Sequence, residues 1–168
     1  MTGTHEIHSP KGPLERVLCR LSIKTSQMDR EGGTGQPEYS VSDLAAMASG
    51  VEDPLAGELL PMINGDPSAK AVAIEELAFQ QHLMIFRDWP DRSVAANKLR
   101  RMARAAVREY VSDNPKGLTV KEAREIIKVS GSGMTKITPF YMGMIRRLHV
   151  AEGELVSHLR RQFAREAA

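Results

Sequence analysis

One cysteine, Cys19, stands in 168 residues, so a disulfide scaffold is excluded, and a lone thiol with no second ligand at the right spacing cannot hold structural zinc. Aromatic residues are scarce, at 5%, against 42% hydrophobic residues, a balance that suits a soluble, mostly helical chain of one domain, or one domain and a tail. No apolar run approaches the roughly 20 residues needed to cross a bilayer. The polar start MTGTHEIHSPKGP lacks the apolar stretch of an export signal, so the expected location is the cytosol. No segment alternates in the manner of a strand, and no internal repeat is present.

Catalytic and ligand-holding constellations are missing as well. The glycine cluster 130–133, SGSG, is not followed by Gly-Lys-Ser/Thr and does not follow a strand, so it is no phosphate cradle. His5, His8, His82, His149 and His158 include no pair at the i, i+4 spacing of a helical metal site, and they read as surface or core histidines. Neither an enzyme nor a bound cofactor is expected.

What the sequence does have is segregated charge. Residues 1–86 carry 6 Lys and Arg against 12 Asp and Glu, and residues 87–168 carry 17 against 9, so a net charge of +2 conceals halves of −6 and +8. Such a chain can turn one face to a polyanion and another to water or a basic partner.

Punctuation divides the chain into a flexible tail and linker over 1–40, an acidic-to-basic helical core over 41–112, and a C-terminal part over 113–168. Within the tail, only 14–21 has the pattern of a short helix; the stretch after it is rich in Gly and polar groups. Ser40, three residues ahead of Asp43, opens a helix that ends near Gly50. Asp53-Pro54 and Asp66-Pro67 each pair a capping carboxylate with a first-turn proline, which predicts helices over 54–63 and 67–87. The second carries Val72, Ile74, Leu77, Phe79, Leu83, Ile85 and Phe86 around most of its circumference and is the expected central core helix.

Trp89-Pro90 ends that helix, and Asp91 can cap the next, over 92–112. At about 100° per residue, Arg100, Arg104, Arg108, Arg101 and Lys98 share an arc of roughly 160°, while Met102, Ala95, Ala106, Leu99, Tyr110, Ala103 and Val107 fill the opposite side. Such crowded cations repel one another, and an anionic partner offsets that cost; a hydrated face is the other reading. Lys116, Lys121, Arg124, Lys128, Lys136, Arg146, Arg147, Arg160, Arg161 and Arg165 continue the excess downstream, with few acids among them. Nucleic-acid contact is therefore the favoured reading.

Thr119 with Glu122 forms a capping box ahead of LTVKEAREIIKV over 118–129, the SGSG segment breaks that helix, and Thr138-Pro139 starts a last helix reaching about 166. A short helix, a turn and a second helix resemble a helix-turn-helix, in which the N-terminal residues of the second helix enter the major groove. Ser132, Thr135, Lys136, Thr138 and Tyr141 are then the candidates for base or backbone contact. Ala123, Ile126, Ile127, Val129, Phe140, Met144 and Ile145 would form the small core between the helices. Gly143 and Gly153 are expected to bend or break the last helix. Its series Tyr141, Ile145, Leu148, Glu152, Leu155, Leu159 and Gln162 serves core packing or, as the alternative, a homodimer seam. The expected fold is an all-α, compact helical domain with a helix-turn-helix-like C-terminal part.

The run DPLAGELLPMINGDPSAKAVAIEELAF, then DWPDRSVAANKLRRMARAAVREYV, then Thr119-Val120-x-x-Ala123-x-x-Ile126 and a long final helix resembles bacteriophage late-gene antitermination regulators of the Q type, over about residues 53–166. Members of that family place a Cys-x-x-Cys pair after the helix corresponding to 92–112; residues 113–117 here read Asp-Asn-Pro-Lys-Gly, so no zinc site carries over. The resemblance implies a non-enzymatic transcription regulator in a bacterial cytoplasm. It would recognise DNA, or nascent RNA, and load onto host RNA polymerase. The acidic segment around Glu52, Asp53, Glu58, Glu75 and Glu76 would then meet a basic polymerase surface. The competing expectations are a phage DNA-packaging or replication accessory protein, and a protein-only adaptor or inhibitor with a basic docking face.

Overall fold

The computed structural model describes residues 16–17, 21, 41–59, 75–77, 79, 95–112, 116–166 and 168. Among the described residues every regular element is a helix: α1 (Val41–Ala48), α2 (Pro54–Glu58), α3 (Ala96–Tyr110), α4 (Val120–Ile127) and α5 (Gly131–Glu166). The fold is all-α, as expected. Residues 75–77 and 79 of the anticipated central helix are also helical; the rest of that segment lies outside the described residues, as do Ser40 and the Asp66-Pro67 and Asp91 signals. No helix among the described residues is long and apolar enough to cross a membrane.

Most start and stop signals act as chemistry requires, and some act differently from expectation. Asp53 caps α2 by accepting the Leu55 N–H at 3.0 Å, with Pro54 in the first turn. The helix ends at Glu58, not near 63, because Leu59 closes it with N–H bonds back to Ala56 and Gly57. α3 begins at Ala96 rather than 92, behind Ala95, which offers no capping side chain. The Thr119 hydroxyl accepts the Glu122 N–H while the Glu122 carboxylate accepts the Thr119 N–H, so the capping box is complete in both directions.

The larger departure lies at SGSG, which starts a helix and does not break one. Lys128 turns into the left-handed region (φ 60°, ψ 57°) and closes α4 with its N–H on the Arg124 carbonyl. Two residues later Ser130 opens α5: its Oγ accepts the Gly133 N–H at 3.1 Å and its carbonyl the Met134 N–H at 2.9 Å. Gly133 suits this cap, since a Cβ there would stand 3.2 Å from Ser130 Oγ and 3.4 Å from Val129 Cβ. Thr138 is therefore no cap; its hydroxyl donates back to the Met134 carbonyl at 2.8 Å, inside the helix. Pro139 also lies inside, on the exposed side, where water can serve the Thr135 carbonyl that loses its helical partner. Gly143 and Gly153 do not interrupt α5, whose 36 residues run through both.

α5 is the common wall of two cores. Its first half packs Met134, Ile137, Tyr141 and Met144 against Leu99, Met102, Ala103, Ala105 and Ala106 of α3 and Ala123 and Ile127 of α4. Ile126, Val129, Phe140 and Ile145 flank that core, as anticipated. Its second half packs Leu148, Ala151, Leu155, Val156 and Leu159 against Leu44 and Ala48 of α1, Leu55 and Ala56 of α2, and Val107 and Tyr110 of α3. Each buried Leu contributes about 1.5–3 kcal/mol relative to exposure. The division at 112/113 thus does not separate two bodies, because α3 and α5 each enter both cores.

The expected seam on α5 is spent on this packing. Its polar member Glu152 is only 3% exposed and is held by the Tyr110 hydroxyl at 2.8 Å and by Arg16 Nε at 3.0 Å. Arg16 also donates to the Tyr110 carbonyl at 3.0 Å and lies 4.7 Å from the centre of its ring. Val17 is buried in the same core and Leu21 packs beside it, so the reading of 1–40 as a tail fails at these three residues. Burial of a charge is tolerated only when paired, which Arg16 provides.

The link from α3 to α4 is set by Glu109, whose carboxylate accepts the Leu118 N–H. Gly117, at φ +66°, leaves the space in which that carboxylate sits. Gly117→Ala combines left-handed strain with displacement of Glu109 and should lose about 2–3 kcal/mol in chemical denaturation. Lys128→Gly should gain about 0.5–1 kcal/mol, because among the described residues Lys128 is the non-glycine residue held in the left-handed region and no partner is touched. Opposite signs in the two denaturation curves are the check on both turns.

Candidate nucleic-acid interface

The three helices of the first core place the cations unequally. On α3, Arg100 and Arg108 are exposed, whereas Lys98, Arg101 and Arg104 are half-buried. Helical spacing sets Ala105 at the Lys98 edge of the cationic arc, where it is fully buried, while Arg108 near the middle of the arc stays exposed. The Nε atoms of Arg101 and Arg104 are buried with no hydrogen-bond partner among the described residues. Arg104 meets Glu75 instead, Nη2 to Oε2 at 2.9 Å.

α4 and α5 carry the rest. Lys121 and Lys128 are exposed, and Arg124 folds back so that its guanidinium lies beside Gly131, where a Cβ would be 3.8 Å from Nη1. Arg124 Nε points to the Val129 carbonyl at 3.5 Å. Only Lys128, Val129 and Ser130 separate α4 from α5, the turn length expected of a helix-turn-helix, where the sequence spacing suggested about eight residues. Ser132, Thr135 and Lys136 are exposed in the first two turns of α5, and Arg146 lies further along the same side.

Three candidates leave the interface. Tyr141 is 5% exposed and belongs to the core of α3, α4 and α5. Thr138 is half-buried with its hydroxyl satisfied within α5. Arg147 forms a two-pronged ion pair with Asp53, at 2.8 and 3.0 Å, which ties α5 to the capping residue of α2. Asp53 is accordingly engaged inside the chain and is not offered to a partner. Tyr141 and Thr138 were expected at the interface because the helix start was set eight residues late, at Thr138, which placed them in its first turn.

Three residues that sequence reasoning missed share the exposed stripe of α5: Pro139, Met142 and Gly143. They follow Ser132 and Thr135 at helical i+3/i+4/i+7 spacing, a signal that becomes readable once the helix begins at Ser130. Small side chains there let another surface approach the helix closely, and Met142, 50% exposed, adds a flexible apolar contact. Among the described residues no group of three or more His, Cys, Asp or Glu converges as a metal site. Comparison with protein families, with curated proteins and with solved structures finds no match for this chain.

Burial affects two phenols. Tyr141 is pushed above its ordinary value of 10.0, chiefly by desolvation and further by the Glu109 charge. Tyr110 is pushed up by desolvation and by the Glu152 carboxylate, against the opposing pull of Arg16. A raised folded value means that stability is whole below pH 10 and falls as pH rises through the range where only the unfolded chain ionises. Phenolate absorbance should therefore appear for these two tyrosines only together with loss of helical circular dichroism at alkaline pH. Ionisation of both while the helices persist would contradict their placement in the cores.

Proposed function

We propose that this chain is a DNA-binding transcription regulator that sets the first half of α5 into the major groove of a duplex. The observation that carries the reading is the three-residue turn between α4 and α5, with Ser132, Thr135 and Lys136 exposed on the two turns that follow. Hydroxyls and an amine at that end of a helix are the groups that read base edges and phosphates. Lys121 and Lys128 on α4, Arg146 on α5, and Arg100 and Arg108 on α3 are exposed, and in this reading they supply the phosphate contacts that fix register.

The resemblance to Q-type antitermination regulators supports the finer part of the proposal, an antiterminator that joins host RNA polymerase after meeting promoter-proximal DNA. In the acidic segment proposed to meet the polymerase, Glu52 is exposed, and Glu75, also exposed, is paired with Arg104.

Binding to a DNA duplex should weaken steeply with salt, with log K against log salt falling at a slope between about −3 and −5 if most of the exposed cations meet phosphates. Charge reversal of Arg100 and Arg108, or Lys136→Glu, should flatten that slope and weaken binding to every sequence. Ser132→Ala with Thr135→Ala should instead lower preference for a selected site with the slope unchanged. Gel shifts at two salt concentrations check this; no binding at either would assign the basic face to a protein partner. Retention of polymerase subunits in a nuclease-treated pull-down tests the antitermination part.

A further inference from the structure

We infer that the acidic half of the chain restrains the basic half: the Glu75 carboxylate occupies Arg104 as a phosphate would, so nucleic acid must displace it to gain the full α3 face. This regulation rests on the reading of that face as a nucleic-acid site. Four observations lead to it. Glu75 Oε2 lies 2.9 Å from Arg104 Nη2, a charge-assisted bond of the kind that a phosphate oxygen makes with a guanidinium. The pair is accessible, with the side chains 37% and 55% exposed for Arg104 and Glu75, so a competing anion can reach it. Glu75 is not a wandering side chain, because Leu77, two residues on, is fully buried in the core that also holds Val107 and Tyr110 of α3. Finally, the Nε atoms of Arg101 and Arg104 are withdrawn from water, as a site partly closed by its own chain requires.

The energetics favour exchange over permanent closure. An exposed ion pair is weak and easily opened, and a single carboxylate competes with a duplex whose charges are closely spaced. The pair therefore sets a threshold without abolishing binding. Each phosphate neutralised adds about 0.9 to the salt slope, so freeing Arg104 is worth up to about tenfold in affinity near 0.1 M salt, less the few-fold cost of breaking the pair. A polyanion that lies along α3 makes that exchange, and so does a basic protein surface that draws Glu75 away.

The test is fluorescence anisotropy of the full chain with a random-sequence DNA duplex, across a salt series, for the parent, Glu75→Gln, Arg104→Ala and the double variant. Glu75→Gln should bind about three- to tenfold more tightly at low salt, with a slope steeper by about one ion. In the Arg104→Ala background the same change should have little effect, since the cation that it frees is gone. Equal or weaker binding by Glu75→Gln, while the parent binds and Lys136→Glu weakens it, overturns the restraint alone. No binding by parent or by Glu75→Gln at any salt overturns the nucleic-acid reading and the restraint together. Melting temperatures within a degree or so of the parent are expected for Glu75→Gln, because an exposed pair contributes little to stability.

Discussion

The Ser130 hydroxyl, which takes up the Gly133 N–H, determines what α4 and α5 can do together. A helix left uncapped would fray at Gly131 and Gly133, each costing about 1 kcal/mol relative to Ala, and the turn would lengthen until Thr138 became the first firm residue. With the cap made, α5 begins within three residues of α4, Met134 and Ile137 reach the core, and Ser132, Thr135 and Lys136 are held outward on a rigid helix. Precision at a contact site depends on such rigidity, since a side chain on a fraying end pays ordering entropy each time it binds.

Rigidity at the start of α5 is transmitted along its length. The same helix that presents the candidate interface closes the second core through Leu148, Leu155 and Leu159, and Arg147 ties it to α2 through Asp53. Glu152, Tyr110 and Arg16 join the middle of α5, the end of α3 and the N-terminal segment in one buried network. Removing one partner would leave a buried polar group unpaired, so the network specifies one relation between the helices more firmly than apolar contacts alone could. An N-terminal segment thus bears on an interface more than a hundred residues away in sequence.

Local chemistry was legible wherever both partners of an interaction lie within a few residues. The Thr119–Glu122 capping box, the Asp53-Pro54 start and the apolar stripe of α3 could all be read directly, and so could the small core under α4. Long-range partners could not be read. Arg147 looked like one more surface cation because Asp53, 94 residues away, gives no local sign of pairing with it. Arg16 looked like part of a tail because Glu152 is 136 residues away. At 130–139 two local signals competed. Gly-rich composition argued for a loop and Thr-Pro for a helix start, but the gain from burying Met134, Ile137 and Tyr141 together with one serine cap outweighed both. The eight-residue error in the helix start then carried Tyr141 and Thr138 wrongly onto the surface and hid Met142 and Gly143.

The division of charge along the chain acquires a physical meaning from these contacts. Opposite charges in separate halves need not stay apart in three dimensions, and here the acidic half reaches the basic one at two places with different consequences. Asp53, itself 12% exposed, meets Arg147 in a two-pronged, part-buried pair that also holds the capping residue of α2; that contact is structural. Glu75 meets Arg104 through one bond in the open, where water and any passing anion compete at little cost. Geometry and exposure, and not the count of charges, decide which carboxylate belongs to the fold and which can yield to a ligand. By that criterion the cations that matter for an anionic partner are those left exposed on α3, α4 and the first half of α5, together with the one that Glu75 can release.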